Sequence, residues 1–125
     1  MSVVTLSEHP TVHSQYGRWQ ALNEPLGLSA FGMNAIVLDP GEDAQTEHDE
    51  SDADQQEAYV VVAGRAEFRI GDETIEAPAG TVVAVPDPNA RRRFTALERG
   101  TRILCIGAPL SAPRVDYGTW ISESA

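Results

Sequence analysis

The chain has 125 residues, 42% of them hydrophobic, a length that closes one hydrophobic core and leaves no material for a second. Its formal net charge is −10, and all nine basic residues are arginines. That balance repels phosphate backbones, and the one basic cluster, Arg91-Arg92-Arg93, is too short and too outnumbered for a nucleic-acid surface, so no nucleic-acid partner is expected.

The chain opens on "MSVVTLSEHP", which has neither a basic start nor an apolar stretch of signal-peptide length. No apolar run anywhere approaches the roughly 20 residues of a membrane span. The expectation is a cytoplasmic protein without membrane contact. Residues 1–28 are weakly patterned and read as an N-terminal arm, with Tyr16, Trp19, Leu22 and Leu26 as anchors that lie over one end of a barrel or pair with its sheet. His9 and His13 have i, i+4 spacing, but Pro10 between them breaks the helix that would align them, and they read as structural or exposed.

From residue 29 to about 108 turn signals recur at short intervals: Asp39-Pro40-Gly41, Gly64, Gly71-Asp72, Pro78-Ala79-Gly80, Pro86-Asp87-Pro88-Asn89 and Glu98-Arg99-Gly100. The segments between them, "AFGMNAIVL", "AYVVVA", "AEFRI", "ETIEA", "TVVAV", "RRFTA" and "TRILCIG", have strand length and strand composition. The domain is therefore all-β. In "AEFRIGDETIEA" Phe68 and Ile70 alternate with Glu67 and Arg69, and Gly71-Asp72 is a two-residue hairpin loop needing positive φ at its first position. "YVVVA" and "TVVAV" are apolar at successive positions, which predicts strands covered on both faces, the outer cover coming from another sheet or from the second subunit of a homodimer. Cys105, alone of its kind and inside "RILCIGA", reads as a small core residue. The tail, 109–125, is expected to drape along the surface with Tyr117 and Trp120 docked.

"TEHDESDADQQE", Thr46 to Glu57, packs His48 among six carboxylates. Together with its surroundings this stretch resembles the cupins. Gly41, His48, Glu57 and Gly64 are similar to the first cupin motif, G-x5-H-x-H-x3,4-E-x6-G, and Gly80, Pro86, Arg91 and Thr95 to the second, G-x5-P-x-G-x2-H-x3-N. The resemblance implies a small double-stranded β-helix of jelly-roll type, often dimeric, formed by one domain spanning 1–125. The scaffold positions fit, with six residues between Glu57 and Gly64 and five between Gly80 and Pro86. The metal positions do not: Glu50 replaces the family's second histidine, Pro88 replaces glycine, Arg91 falls where the second-motif histidine would stand, and Thr95 replaces asparagine.

Arginine has no lone pair to give a cation, so Arg91 is expected to point into the barrel and pair with Glu57, with Arg93 and Thr95 on the same face and Arg92 and Phe94 on the other. Three readings of the acidic stretch stand open: a metal held by His48, Glu50 and Glu57, the remains of such a site, or a solvated loop. The functional expectation is a barrel that binds a small organic ligand, anionic where arginine faces it, without an obligatory metal or other cofactor. Its ligand-binding residues would be Arg91, Glu57, His48, Arg93 and Tyr59, with Val61 also lining the cup. The alternative is a divalent-metal-dependent cupin enzyme of dioxygenase or isomerase type, with manganese, iron, zinc or nickel on His48, Glu50 and Glu57. A barrel packed solid by side chains and acting as a dimeric interaction module is the third possibility. No nucleophile elbow or phosphate loop accompanies these residues.

Overall fold

Period-two apolar patterns bounded by glycine and proline become nine antiparallel strands in the computed structural model, which describes residues 1–14, 17–42 and 54–115. In chain order these are β1 (Val12–Ser14), β2 (Gly17–Ala21), β3 (Gly32–Leu38), β4 (Gln55–Ala63), β5 (Arg65–Ile70), β6 (Glu73–Pro78), β7 (Val82–Val85), β8 (Arg92–Ala96) and β9 (Thr101–Pro109), with a single turn of helix, α1 (Asn23–Leu26), between β2 and β3. They form a six-stranded sheet in the order β1-β2-β3-β9-β4-β7 and a three-stranded sheet in the order β6-β5-β8. The last strand, β9, lies between β3 and β4, the winding of a jelly roll. The predicted hairpin is present: Ile70 pairs with Glu73 across Gly71-Asp72, and Gly71 adopts φ 59°.

Strand pairing stacks the inward side chains of the large sheet in layers. Gly32, Gly107, Glu57 and Val85 share one rung at the rim. Asn34, Cys105, Tyr59 and Val83 form the next, and Ile36, Ile103 and Val61 the one below. The small sheet faces them with Phe68 opposite Phe94 and Ala66 opposite both Ala77 and Ala96. The rings of Tyr59, Phe68 and Phe94 close a triangle with centroids 5.4–5.7 Å apart and tilted planes, filling the middle of the barrel.

The N-terminal arm pairs with the sheet: β1 and β2 extend it beyond β3. Gln20 faces outward beside Ala35, both fully buried, and its amide donates to the carbonyls of Leu6 and His9 at 2.8 Å. This pins residues 5–9 over the outer face of β2 and β3. Over β4 and β7 that face stays open in the single chain, with Val62 40% and Val82 62% exposed. Tyr16, Tyr117 and Trp120 lie outside the described residues.

Gly64, the motif glycine between β4 and β5, is required on two counts. Its φ is 75°, and a Cβ there would collide with Thr101, whose Cα it would approach to 2.8 Å. Thr101 must stand that close, because its hydroxyl accepts the Arg65 N–H (3.3 Å) and donates to the Glu98 carbonyl (2.8 Å).

The end of β3 is tied down electrostatically. Asp39 accepts the Gly100 N–H at 2.7 Å, and Arg18 donates to both Asp39 (3.3 Å) and Glu42 (2.9 Å). The Gly100 N–H above all, with help from Arg18, holds the Asp39 carboxyl below the ordinary carboxylate value. A lowered folded pKa contributes stability above the unfolded value and loses it as pH falls through the folded one. Asp39→Asn should therefore melt below the wild type at neutral pH, with a gap that closes as pH falls below about 4. Paired thermal melts from pH 7 to pH 2 measure it, and a gap constant with pH would contradict the assignment.

Candidate functional site

Glu57 and Tyr59 occupy alternate positions on β4, so both face the interior. Opposite them, the turn before β8 is built by "PDPNA". The Asp87 carboxylate accepts the Asn89 N–H at 2.9 Å, and the Asp87 carbonyl accepts the Ala90 N–H at 3.1 Å. That turn curls the carbonyls of residues 87, 88 and 90 toward one point, and the guanidinium of Arg92 fills it. Nε donates to the Ala90 carbonyl (3.1 Å), and Nη2 donates to the carbonyls of Ala90 (2.9 Å), Asp87 (3.0 Å) and, at longer range, Pro88 (3.5 Å).

Nη1 of Arg92 donates to Glu57 Oε1 at 2.8 Å, and the same oxygen accepts the Tyr59 hydroxyl at 2.6 Å. The Arg92 side chain is 1% exposed and that of Glu57 14%. A buried guanidinium needs a counter-charge and acceptors for its fork of donors, and this site supplies both. Burial, then the Glu57 charge, pushes the Tyr59 phenol far above its ordinary value, so Tyr59 remains a proton donor to Glu57. The Cys105 thiol, beside Tyr59 on the next strand, is pushed up by burial and then by Glu57, which keeps it a neutral core residue.

The predicted pairing of Glu57 with Arg91 is thus corrected to Glu57 with Arg92. Arg91 and Arg93 are exposed and project from the opposite face of the strand, while Arg92 and Phe94 point inward. The reason is a one-residue offset: the Asp87–Ala90 turn delivers the chain into β8 one position later than the motif spacing implies, and in a strand one position exchanges the faces. Phe94 carried the signal, since an aromatic residue in a strand of this period belongs to the core and fixes Arg92 on its own side. Val61 and Tyr59 are buried on the interior face as expected. His48 and Glu50 lie outside the described residues.

At the rim, Gly107 stands beside Glu57, where a Cβ would meet the Glu57 Cγ at 3.3 Å, and Gly32 follows on β3. The Glu57 rung therefore has no side chain on two of its four strands. A shallow cleft of about 310 Å3 beside this rung lies on the outer face of the large sheet, since Ala58, Ala84, Ile106 and Ala108, which line it, alternate with the inward Glu57, Val85 and Gly107. Among the described residues no three of histidine, cysteine, aspartate and glutamate cluster as metal ligands would. A divalent cation at Glu57 would share its carboxylate with a fixed guanidinium charge, so the described residues around Glu57 do not by themselves fit one.

The chain matches no protein-family model and no curated protein. Solved structures match it over nearly its whole length. A cupin protein from Bacteroides fragilis is 19% identical with a TM-score of 0.69, covering 92% of this chain and 96% of its own. KdgF from Halomonas sp. is 18% identical with a TM-score of 0.70, covering 93% and 96%. A cupin 2 conserved barrel domain protein from Salinispora arenicola is 19% identical with a TM-score of 0.69, covering 90% and 92%. With the jelly-roll winding, these likenesses show an all-β barrel with the fold of the cupins.

The energetics of the site can be measured by urea unfolding at pH 7. Glu57→Gln should cost roughly 3 kcal/mol, the lower end for stranding a buried charge because Glu57 keeps a solvent-facing edge. Arg92→Lys should cost about 2 kcal/mol, since one ammonium cannot reach Glu57 and the turn carbonyls together. Tyr59→Phe, which keeps the ring triangle, should cost about 1 kcal/mol. An Arg92→Lys variant as stable as the wild type would remove the guanidinium from its place in this account.

Proposed function

We infer that this cupin binds a small organic molecule at the rim of its barrel without an obligatory metal, and that it acts as a homodimer. The Arg92 to Glu57 contact at 2.8 Å carries the metal-free reading. It neutralises Glu57, one of the two carboxylates that the metal reading requires, and does so with a group that cannot ligate. The middle of the barrel is filled by the aromatic triangle, so the reading places the ligand above Glu57, on the rung where Gly32 and Gly107 carry no side chain.

The Arg92 and Glu57 pair is neutral as a unit. Selection at the rim therefore rests on hydrogen-bond donors that meet the exposed edge of Glu57, and not on charge. The anionic preference expected from Arg91 and Arg93 does not extend to the rim, because both point away from it. His48 and Glu50 enter through the test. Protein purified without affinity tag or chelator is expected to carry no stoichiometric manganese, iron, zinc or nickel by elemental analysis, and to melt at the same temperature with and without chelator. A stoichiometric ion whose removal lowers the melting temperature would overturn this reading in favour of the metal-dependent enzyme, with His48, Glu50 and Glu57 as ligands.

The dimer reading rests on the open outer face of β4, β7 and β9. Val60, Val62, Val82, Ala84 and Ile106 form an apolar strip that the arm does not reach, and no helix among the described residues is long and apolar enough to cross a membrane. Light scattering after size exclusion should give twice the chain mass, and Val82→Glu should halve it without unfolding the barrel. A monomeric wild type at micromolar concentration would count against the dimer.

A further inference from the structure

Two polar atoms on the interior face of the large sheet, Nε1 of Trp19 and Oδ1 of Asn34, are buried and find no hydrogen-bond partner among the described residues. Pairing of β2 with β3 sets Trp19 opposite the core residue Ile36, and Asn34 lies two positions from Ile36 on β3. Both therefore face the interior as diagonal neighbours. Such positions on paired strands lie about 7–8 Å apart, within reach of one bridging group.

The residues around them are committed elsewhere or have nothing to offer. Ala21, opposite Asn34 on β2, is apolar, as is Ile36. Cys105, opposite Asn34 on β9, directs its thiol to the Ile103 carbonyl at 4.0 Å, and the Tyr59 hydroxyl on the same rung donates to Glu57. Toward the rim, the next interior position on β3 is Gly32, which puts no side chain over Asn34. Trp19 and Asn34 each keep part of their surface in solvent, so the pair is not sealed in the core.

A buried donor or acceptor without a partner costs the free energy of its lost hydration. Here one of each stands at neighbouring positions, and a group that accepts from the indole while donating to the carboxamide satisfies both. A hydroxyl does this. An ionised carboxylate has no proton for Asn34, and an ammonium has no lone pair for Trp19, so either charged group leaves one of the two unsatisfied. We propose that Trp19 and Asn34 form a hydroxyl-recognition site that lodges an alcohol group of a neutral, polyhydroxylated ligand beneath Gly32. The inference rests on binding at the rim and names the chemistry of what binds there. Neither residue belongs to the metal set of His48, Glu50 and Glu57, so the two readings fail separately.

The test is nitrogen-15 NMR of the Trp19 indole N–H, identified by its loss in Trp19→Phe, during titration with the neutral polyols glycerol and xylitol and, separately, with acetate and methylammonium. A saturable shift with a polyol and none with either ion is expected. Asn34→Leu, which replaces the carboxamide by an apolar group of similar size, should raise the polyol dissociation constant about tenfold. It should also raise the melting temperature, because it removes a buried acceptor that has no partner. Weaker binding together with higher stability is a result that misfolding cannot imitate. Trp19→Phe keeps a ring against the core and should abolish the polyol shift of the Asn34 side-chain NH2 signals. An indole signal that moves linearly with polyol, in step with that of Trp120, reports bulk solvent and would overturn the proposal. A response to acetate alone would overturn it too, by showing that Asn34 offers its NH2 to the ligand, as would an Asn34→Leu variant that binds like the wild type. A stoichiometric metal with the polyol response intact would sink the metal-free reading and leave this site standing, whereas no response in metal-free protein would sink this site alone.

Discussion

A charge buried in the barrel has to be answered from several directions at once, and the residue that does the joining is Arg92. Its guanidinium gathers the carbonyls of the Asp87–Ala90 turn on one side and Glu57 on the other, so that β8, the turn before it and β4 are joined through one planar group. Tyr59 adds a second donor to the same carboxylate oxygen and, through its ring, connects this polar knot to Phe68 and Phe94. The polar and apolar parts of the core are thereby one structure. Such a pair contributes little net stability over a well-packed apolar replacement, because desolvation offsets most of the attraction. Its effect is on geometry: only an arginine fork satisfies these acceptors together, and only this turn presents them.

The pair also defines what chemistry the barrel can support. The strand after the Asp87–Ala90 turn brings a cation of its own into the barrel, the covalently fixed guanidinium of Arg92. Glu57 has two partners on one oxygen and an edge toward the rim, and Tyr59 keeps its proton. Cys105, the remaining group of potential reactivity on that layer, is held neutral by burial.

Much of the fold was legible because strand signals here are redundant. The glycine and proline punctuation, the Phe68 and Ile70 alternation, and the spacing of Glu57 to Gly64 and of Gly80 to Pro86 each point to the same barrel. The arginine run was different. "RRRF" offers three chemically identical candidates, and choosing among them requires the register of a strand entered through a turn whose length no motif fixes. Aligning the run on the family's histidine favoured Arg91, whereas counting back by two from Phe94 leads to Arg92, as folding does. Apolar burial is worth more than any single polar position in setting register, so an aromatic anchor outranks a spacing motif that has lost its chemistry. The layer of Gly32 and Gly107 beside Glu57 was hidden for another reason: it arises from pairing of β3 with β9, far apart in sequence.

With Arg92, Glu57 and Tyr59 satisfying one another inside, the two outer faces of the sandwich differ. The outside of the large sheet is largely apolar from β9 across β4 to β7, and the arm that Gln20 anchors lies over β2 and β3. The outside of the small sheet is charged and places arginine opposite arginine. Exposed valine costs stability in an isolated chain. The charged face carries compensation of its own in the Arg65 to Glu76 pair at 2.8 Å, so the two sides of the sandwich differ in what a contact with them would have to supply: apolar cover on one, hydrogen bonds and charge on the other.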